Sequence, residues 1–379
     1  MKTMNKVVFV SNFFNHHQKP FSDAMFSQLG AGYLFLETSV MGQEQINLGW
    51  EMNQYPEYVV PSFLVQNDVK KYENIIFEAD AVIFGSAPYE LVKRRIRANK
   101  LTFRYSERPL KKGLQIWRYP DRFVRWRWQW PQNKNVYLLC ASAYAAEDFA
   151  KFGMFRNRAF KWGYFPQTYH YEDIDALIEK KTKNSLVWVA RYIDWKHPEI
   201  GVEIGKRLKN DGYDFEINMI GNGQLMEATE QAIRAAGLEQ QVHILGAMKP
   251  EEVRAHMEKA QIHIFTSDRN EGWGAVLNES MNSACVPVAN REIGAAPFLI
   301  ENGKNGYLYS DIDELYEKVK YMLDHPQERM EMAKCAYDTI VKEWNAEVAA
   351  ERFLELANNC LAEKGNTQVF EKGVCSKDQ

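Results

Sequence analysis

The stretch IHIFTSDRNEGWGAVLNESMNSA (262–284) decides the fold. It opens as an apolar run of strand length, crosses a charged loop with two glycines from Arg269 to Gly274, and continues in a helical pattern. A strand that passes its chain to a helix through such a turn is the repeating unit of an α/β sheet. The unit recurs in both directions. KVVFV (6–10), YLFL (33–36), AVIF (81–84), LTFRY (101–105) and VYLLC (136–140) form one series. SLVWVA (185–190), FEINMIG (215–221), VHILG (242–246), VPVAN (286–290) and GYLY (306–309) complete the other. Strands that are apolar throughout and spaced by helices predict parallel sheets covered on both faces. Pro198 and Pro250 sit where a first helical turn accepts proline, and Gly212 closes the helix that Pro198 opens.

Between the two series, WGYFPQTYHYEDID (162–175) is rich in aromatics, turn formers and acids, and reads as a linker with the boundary near 166–180. The length agrees: 379 residues exceed the roughly 250–300 that one hydrophobic core serves. Two domains are expected, 1–170 and 171–345, followed by a helical and then polar segment 346–379 whose last residues should fray. With 46% hydrophobic and 26% charged residues the chain is neither disordered nor membrane-embedded, and no apolar run reaches the ~18 residues of a bilayer span. The short run Val7 to Val10 reads as a first strand, not a signal peptide. Five scattered cysteines without a C-x-x-C spacing predict reduced thiols and a cytoplasmic protein.

The loop 269–274 is where chemistry is expected. Two glycines at a strand-to-helix turn let a ligand approach the backbone, and the amides at the start of the helix favour an anion. Glu279 lies about one turn into that helix and leans back toward its start. Glu271 sits at the loop mouth. Two carboxylates flanking a phosphate site are suited to accept hydrogen bonds from hydroxyls on either side of it, as a sugar and a ribose would supply. Positive charge comes from VARYIDWKHPEI (189–200), which brings Arg191 and Lys196 to another strand end. MIGNGQL (219–225) adds Gly221, Asn222 and Gly223 at a third, for close packing, backbone contact with a ligand or simply a turn.

In these pieces the sequence resembles glycosyltransferase family 4, from about Leu186 to Tyr309. The resemblance rests on Arg191 with Lys196 five residues on, the turn of Gly221 and Gly223, the strand of Leu245 and Gly246, and EGWGAVLNE with its two glutamates. ACVPVANREIGAAPFLIENGKNGYLY (284–309) comes next, in order. The resemblance implies the GT-B fold, two Rossmann-like domains whose parallel sheets face a central cleft, and a retaining transfer from a nucleotide sugar without a metal or other cofactor. It implies that Arg191 and Lys196 neutralise the diphosphate, Glu279 holds the ribose hydroxyls, Glu271 contacts the transferred sugar, and the amides of Gly272, Trp273, Gly274 and Ala275 cradle phosphate or sugar. It also implies that the last helix crosses back to the first domain, which would take the acceptor.

In that first half, SNFFNHHQKPFSDAMF (11–26) places His16, His17 and Gln18 just past a strand end, where many family members carry a glycine-rich turn that this sequence lacks. Polar contacts to donor or acceptor, a structural role or a metal site are open to them, the last without a recognisable third ligand. Glu107, after LTFRY, either orients an acceptor hydroxyl or forms a structural ion pair. It is one of two acids among 14 Lys or Arg between Lys93 and Lys134, a local charge of +12 in a chain of net charge −3. Within that window Tyr119, Phe123, Trp126 and Trp130 recur at helical spacing beside Arg118, Arg122, Arg125 and Arg127. This is either a helix lying on an anionic membrane or an amphipathic helix packed on its own domain.

The expected activity is transfer of a sugar from a UDP- or GDP-sugar to a saccharide acceptor, lipid-linked at the inner face of the cell membrane, in surface polysaccharide synthesis. A nucleotide-sugar 2-epimerase of the same fold is the first alternative. A nucleic-acid-binding module using the basic window is the second, but it would leave both glutamates idle, and no nucleic acid is expected as a partner.

Overall fold

The computed structural model describes residues 4–43, 46, 52, 54–363 and 369–378. The chain divides into two units, Met1–Gln167 with Trp344–Gln379, and Thr168–Glu343.

The first unit holds a seven-stranded sheet in the order β3-β2-β1-β4-β5-β6-β7. Its strands are β1 Val7–Ser11, β2 Tyr33–Glu37, β3 Val59–Val60, β4 Ala81–Phe84, β5 Thr102–Ser106, β6 Val136–Cys140 and β7 Ala159–Lys161. All pair in parallel. β1, β4 and β6 are buried at every position, the consequence of helices on both faces. β3 and β7, of two and three residues, are too short to carry a periodic signal and were not legible in the sequence.

The helix Ala346–Glu363 belongs to this unit and packs along Lys19–Leu29. Phe353 anchors it, with its ring 5.1 Å from Phe103 and 5.9 Å from Trp162. Residues 364–368 and 379 of the C-terminal segment lie outside the described residues. The expectation of fraying fails at 374–376. Val374, Cys375 and Ser376 are buried, and this stretch pairs along the open edge at β7. There the Lys161 amide donates to the Ser376 carbonyl and the Cys375 amide to the Lys161 carbonyl, both at 2.8 Å. An apolar pair inside a polar tail is what the edge recruits, since its unpaired amides and carbonyls need partners.

The second unit holds six parallel strands in the order β10-β9-β8-β11-β12-β13. These are β8 Ser185–Val189, β9 Glu216–Ile220, β10 Val242–Gly246, β11 Ile262–Phe265, β12 Val286–Asn290 and β13 Tyr307–Tyr309. Leu186, Trp188, Ile217, Met219, Ile262, Ile264, Val286 and Val288 form its core. Chain order reverses between β8 and β11. Strand ends at such a reversal diverge and leave a crevice, the usual place for a ligand in an open α/β sheet.

Candidate active site

Two loops leave the carboxyl ends of β8 and β11 at that reversal and are knitted together. The Asp268 amide donates to the Trp195 carbonyl at 3.1 Å. The Thr266 hydroxyl donates to the Lys196 carbonyl and accepts from the Trp188 indole at 2.8 Å. Across this seam the Lys196 ammonium donates to the Glu271 carboxylate, and both groups are buried. Lys196 also lies 4.3 Å from the Trp195 ring centre, with the Arg191 guanidinium 5.8 Å from the same ring. One indole ring thus gathers two cations, a cation–π arrangement that offsets part of their repulsion.

The β9 turn is fixed by packing. Gly221 has φ 139°, and a Cβ there would fall 1.9 Å from the Ala190 carbonyl oxygen; at Gly223, φ 149°, it would fall 2.4 Å from that of Tyr192. Only glycine fits either place. Asn222 offers its carbonyl to the Tyr192 amide at 2.8 Å. These residues therefore support the backbone on both sides of Arg191, and packing alone accounts for the glycines.

In the loop after β11, Gly274 (φ 94°) passes so close to Phe265 that a Cβ would lie 2.8 Å from its ring. The Trp273 indole is buried and donates to Asn278 Oδ1 at 2.9 Å, so its side chain anchors the loop from below. The helix Val276–Asn282 begins directly afterwards, with Glu279 in its first turn. Burial pushes the Glu279 carboxyl up to about 7, opposed by the positive charge of Arg254. Arg254 donates to Asn282 Oδ1 at 3.2 Å and stacks on Tyr169 at 3.9 Å. At the far end of the helix the buried Lys181 ammonium donates to the Ser283 carbonyl and to three carbonyls at the end of Pro250–Lys259, neutralising two helix ends at once. Beneath Glu279's helix, the buried His263 meets the Ser280 hydroxyl at 2.9 Å, and burial pulls its pKa down to about 3.

Residues 171–339 match the family described as glycosyl transferases group 1. The match lies within the second unit. A trehalose synthase of Pyrococcus horikoshii is 27% identical over 185 residues, 47% of this chain and 44% of that protein. The amylovoran biosynthesis glycosyltransferase AmsK of Erwinia amylovora is 28% identical over 158 residues, 40% of this chain and 38% of that protein. The chain thus spans less than half the length of these curated relatives. Anabaena Alr3699/HepE, solved in complex with UDP, superposes with a TM-score of 0.67 at 14% identity, over 93% of this chain and all of that one. The fold is GT-B.

Every residue expected to serve the donor lies in the second unit, where Arg191, Lys196, Glu271 and Glu279 follow β8 and β11, the strands at the reversal of its sheet. The first unit carries the others, and brings them together too. His16 and His17, after β1, are 3.9 Å apart between ring centres, and His17 stacks on Tyr164 at 6.0 Å. The Tyr164 phenol donates to Glu107 Oε1 at 2.5 Å, and Lys111 donates to Glu107 Oε2 at 2.6 Å. Gln18 accepts from the Asn15 amide at 3.1 Å. A recess lined by His17, Gln18, Phe21, Tyr105, Trp162 and Tyr164 opens beside them. Burial, with a further push from His16, pulls His17 down to about 3. Burial raises the phenols of Tyr105 and Tyr164 well above their ordinary value. Tyr105, Trp162 and Tyr164 carried no motif; only their places at the ends of β5 and β7 give them this position.

Within the basic window, Tyr119–Gln129 is a helix. Most of the aromatic stripe read from spacing faces its own unit: Tyr119 stacks on Phe152 at 4.9 Å, the Trp126 ring lies tilted 4.7 Å from it, and Trp130 is buried against Phe84 and Tyr89. Phe123 of that stripe is exposed, and so are apolar residues outside it, Ile116 at 78%, Trp117 at 77%, Val124 and Trp128. Lys112, Arg118, Arg125 and Arg127 are exposed among them.

Proposed function

We propose that this chain is a retaining glycosyltransferase that moves a sugar from a UDP- or GDP-sugar to a saccharide acceptor, lipid-linked, in surface polysaccharide synthesis. The observation that carries the reading is the joining of Arg191, Lys196 and Glu271 at the strand reversal of a domain that matches group 1 glycosyl transferases. Departure of a nucleoside diphosphate develops negative charge on its β-phosphate. Arg191 and Lys196, fixed beforehand on Trp195, oppose that charge without reorganising, which is the most effective form of electrostatic catalysis. Glu271 accepts hydrogen bonds from hydroxyls of the transferred sugar, Glu279 accepts them from the ribose, and the amides of Gly272, Trp273, Gly274 and Ala275 line the phosphate side. Two cations supply the charge, so no metal or other cofactor enters the proposal.

In the retaining course the acceptor hydroxyl attacks from the face that the diphosphate leaves. The departing phosphate oxygen takes the acceptor proton, so no strong protein base is needed. Glu107, held by Tyr164 and Lys111, and His16, His17 and Gln18 are assigned to orienting the acceptor in the first unit. The apolar and basic surface around Trp117 is assigned to an anionic membrane at the cytoplasmic face, where a lipid-linked acceptor would be met. Among the described residues no helix is long and apolar enough to cross a membrane, so attachment would be peripheral.

Titration with UDP and GDP, followed by assay of UDP- and GDP-sugars with NMR of the product anomer, tests this reading. Binding of one nucleotide and a product with the anomeric configuration of the donor are expected. No binding of either nucleotide, or an epimerised nucleotide sugar formed without acceptor, would overturn it.

A further inference from the structure

His197 stands between the two loops that hold Lys196 and Glu271, and has no part in the donor contacts assigned to them. It closes the turn Asp194–Lys196 and precedes the helix Pro198–Asn210 with φ 52° and ψ 56°. A left-handed backbone costs a side-chain-bearing residue on the order of 1 kcal/mol, a strain glycine would relieve. Strain kept at one spot calls for a compensating contact, and the ring supplies it. Nδ1 is 3.0 Å from Glu199 Oε1, and Nε2 is 3.5 Å from Asp268 Oδ2. Each nitrogen faces a carboxylate, and only the imidazolium donates from both; a neutral ring turns a lone pair toward one of the two acids.

Asp268 is in turn the hub of the Glu271 loop. Its carboxylate accepts from the Asn270 amide and side chain at 2.8 and 2.9 Å. Its amide holds Trp195, and its carbonyl accepts from the Glu271 amide at 3.0 Å. The charged groups around the ring are Glu199 on its own helix and Asp268 across the seam, with Asp194 and Lys196 in the turn it ends and Arg269 next to Asp268 in the chain. Both of the charged groups paired with the ring are acids. The Glu199 hydrogen bond, opposed by partial burial, raises the His197 pKa above its ordinary value.

We propose that His197 is a positioning residue whose imidazolium latches the turn bearing Lys196 to the loop bearing Glu271, and so presets the cation that meets the donor diphosphate. The proposal rests on the assignment of Arg191 and Lys196 to the donor. The sign is set by the proton. The latch is complete below the His197 pKa and is lost as pH rises through it, so its contribution to diphosphate binding fades toward alkaline pH.

Two measurements test it. The first is an NMR titration of the His197 imidazole in the ligand-free full chain, wild type against Asp268→Asn; the latch requires a lower pKa in the variant, and equal values would overturn it. The second is the affinity for UDP from pH 6 to 9 in wild type, His197→Asn and His197→Gly, all checked for folding by circular dichroism. Asparagine tolerates the left-handed backbone and glycine relieves it, so loss of fold does not confound the result. Both variants should bind UDP about threefold more weakly than wild type at pH 6 and equally at pH 9, the size expected of a partly exposed ion pair. A ratio constant across that range would overturn the role in binding. If wild type binds no nucleoside diphosphate at any pH, the donor-site reading falls, and the imidazole titration still decides whether the latch exists.

Discussion

The Lys196 ammonium is hydrogen-bonded to the Glu271 carboxylate, with only 11% and 12% of the two side chains exposed. Burying two charges is tolerable while each compensates the other, and becomes expensive when one is removed. Lys196→Met should therefore lower unfolding free energy by about 3 kcal/mol in urea titrations, because Glu271 is left charged and unpaired. Lys196→Met with Glu271→Leu should recover most of that loss and remain inactive. Recovery of activity together with stability would mean that the pair is only structural.

Replacing Glu271 by glutamine separates its roles differently. The amide keeps the volume and one acceptor but gives up the charge. UDP binding should change little, whereas transfer falls on the order of a hundredfold, because the lost hydrogen bonds are to the reacting sugar. Steady-state and single-turnover rates beside UDP titrations would check the split. Equal losses in binding and in rate would place Glu271 on the nucleotide instead.

Glu279 gives a pH dependence of defined sign. Its carboxyl lies near 7 because burial disfavours the charge, with Arg254 pulling the other way. Ribose hydroxyls donate to a carboxylate better than to an acid, so bound nucleotide favours the ionised form. UDP affinity should therefore carry a component that rises through pH 7, absent in Glu279→Gln. Stability runs oppositely. A carboxyl raised in the folded state is fully compatible with folding below about 4.5 and becomes a burden as pH rises through 7. Glu279→Gln should therefore melt above wild type at pH 8 and with it at pH 4. Superimposable melting and binding profiles would contradict both.

Much of this was legible before the fold was known, and the reason is local. Arg191, Lys196 and Glu271 sit a few residues past strand ends, and a parallel sheet brings strand ends to one side, so spacing could foretell the meeting of Lys196 with Glu271 and of Arg191 and Lys196 on Trp195. Gly221 and Gly223 were ambiguous because the carbonyls they admit, at Ala190 and Tyr192, lie about thirty residues away in the chain. Tyr164 was invisible for the same reason, since its partner Glu107 is separated from it by 57 positions. The helix Tyr119–Gln129 shows the limit of periodicity: spacing found an amphipathic helix but could not say whether Trp126 or Trp128 faces solvent, because Phe149 and Phe152 decide that.

Gly221→Ala is a sharper test of the β9 turn than any ligand-site change. The added methyl would overlap the Ala190 oxygen, and the φ of 139° is strained for alanine even if that loop yields. A loss above about 2 kcal/mol in urea titrations is expected, along with weaker UDP binding as the backbone beside Arg191 shifts. A fully stable variant would show that the turn is not fixed by packing.

The surface around Trp117 yields the last prediction, and the structure changes which residues test it. Arg122 donates to Gln115 at 3.3 Å and Arg127 to the Gly153 carbonyl at 3.2 Å, so reversing their charge would disturb the unit itself. Arg118 and Arg125 are exposed, and Arg125 has only a surface pair with Asp121 at 3.4 Å. Each basic residue near an anionic surface adds up to about 1 kcal/mol, so Arg118→Glu with Arg125→Glu should weaken binding to phosphatidylglycerol vesicles about tenfold or more. Trp117→Ser with Ile116→Ser should weaken it as well, through lost insertion of apolar side chains, and that loss should persist at salt concentrations that screen the charges. Cosedimentation that neither pair of substitutions alters would remove the membrane from the account, while the donor site, built in the other unit, would stand on its own measurements.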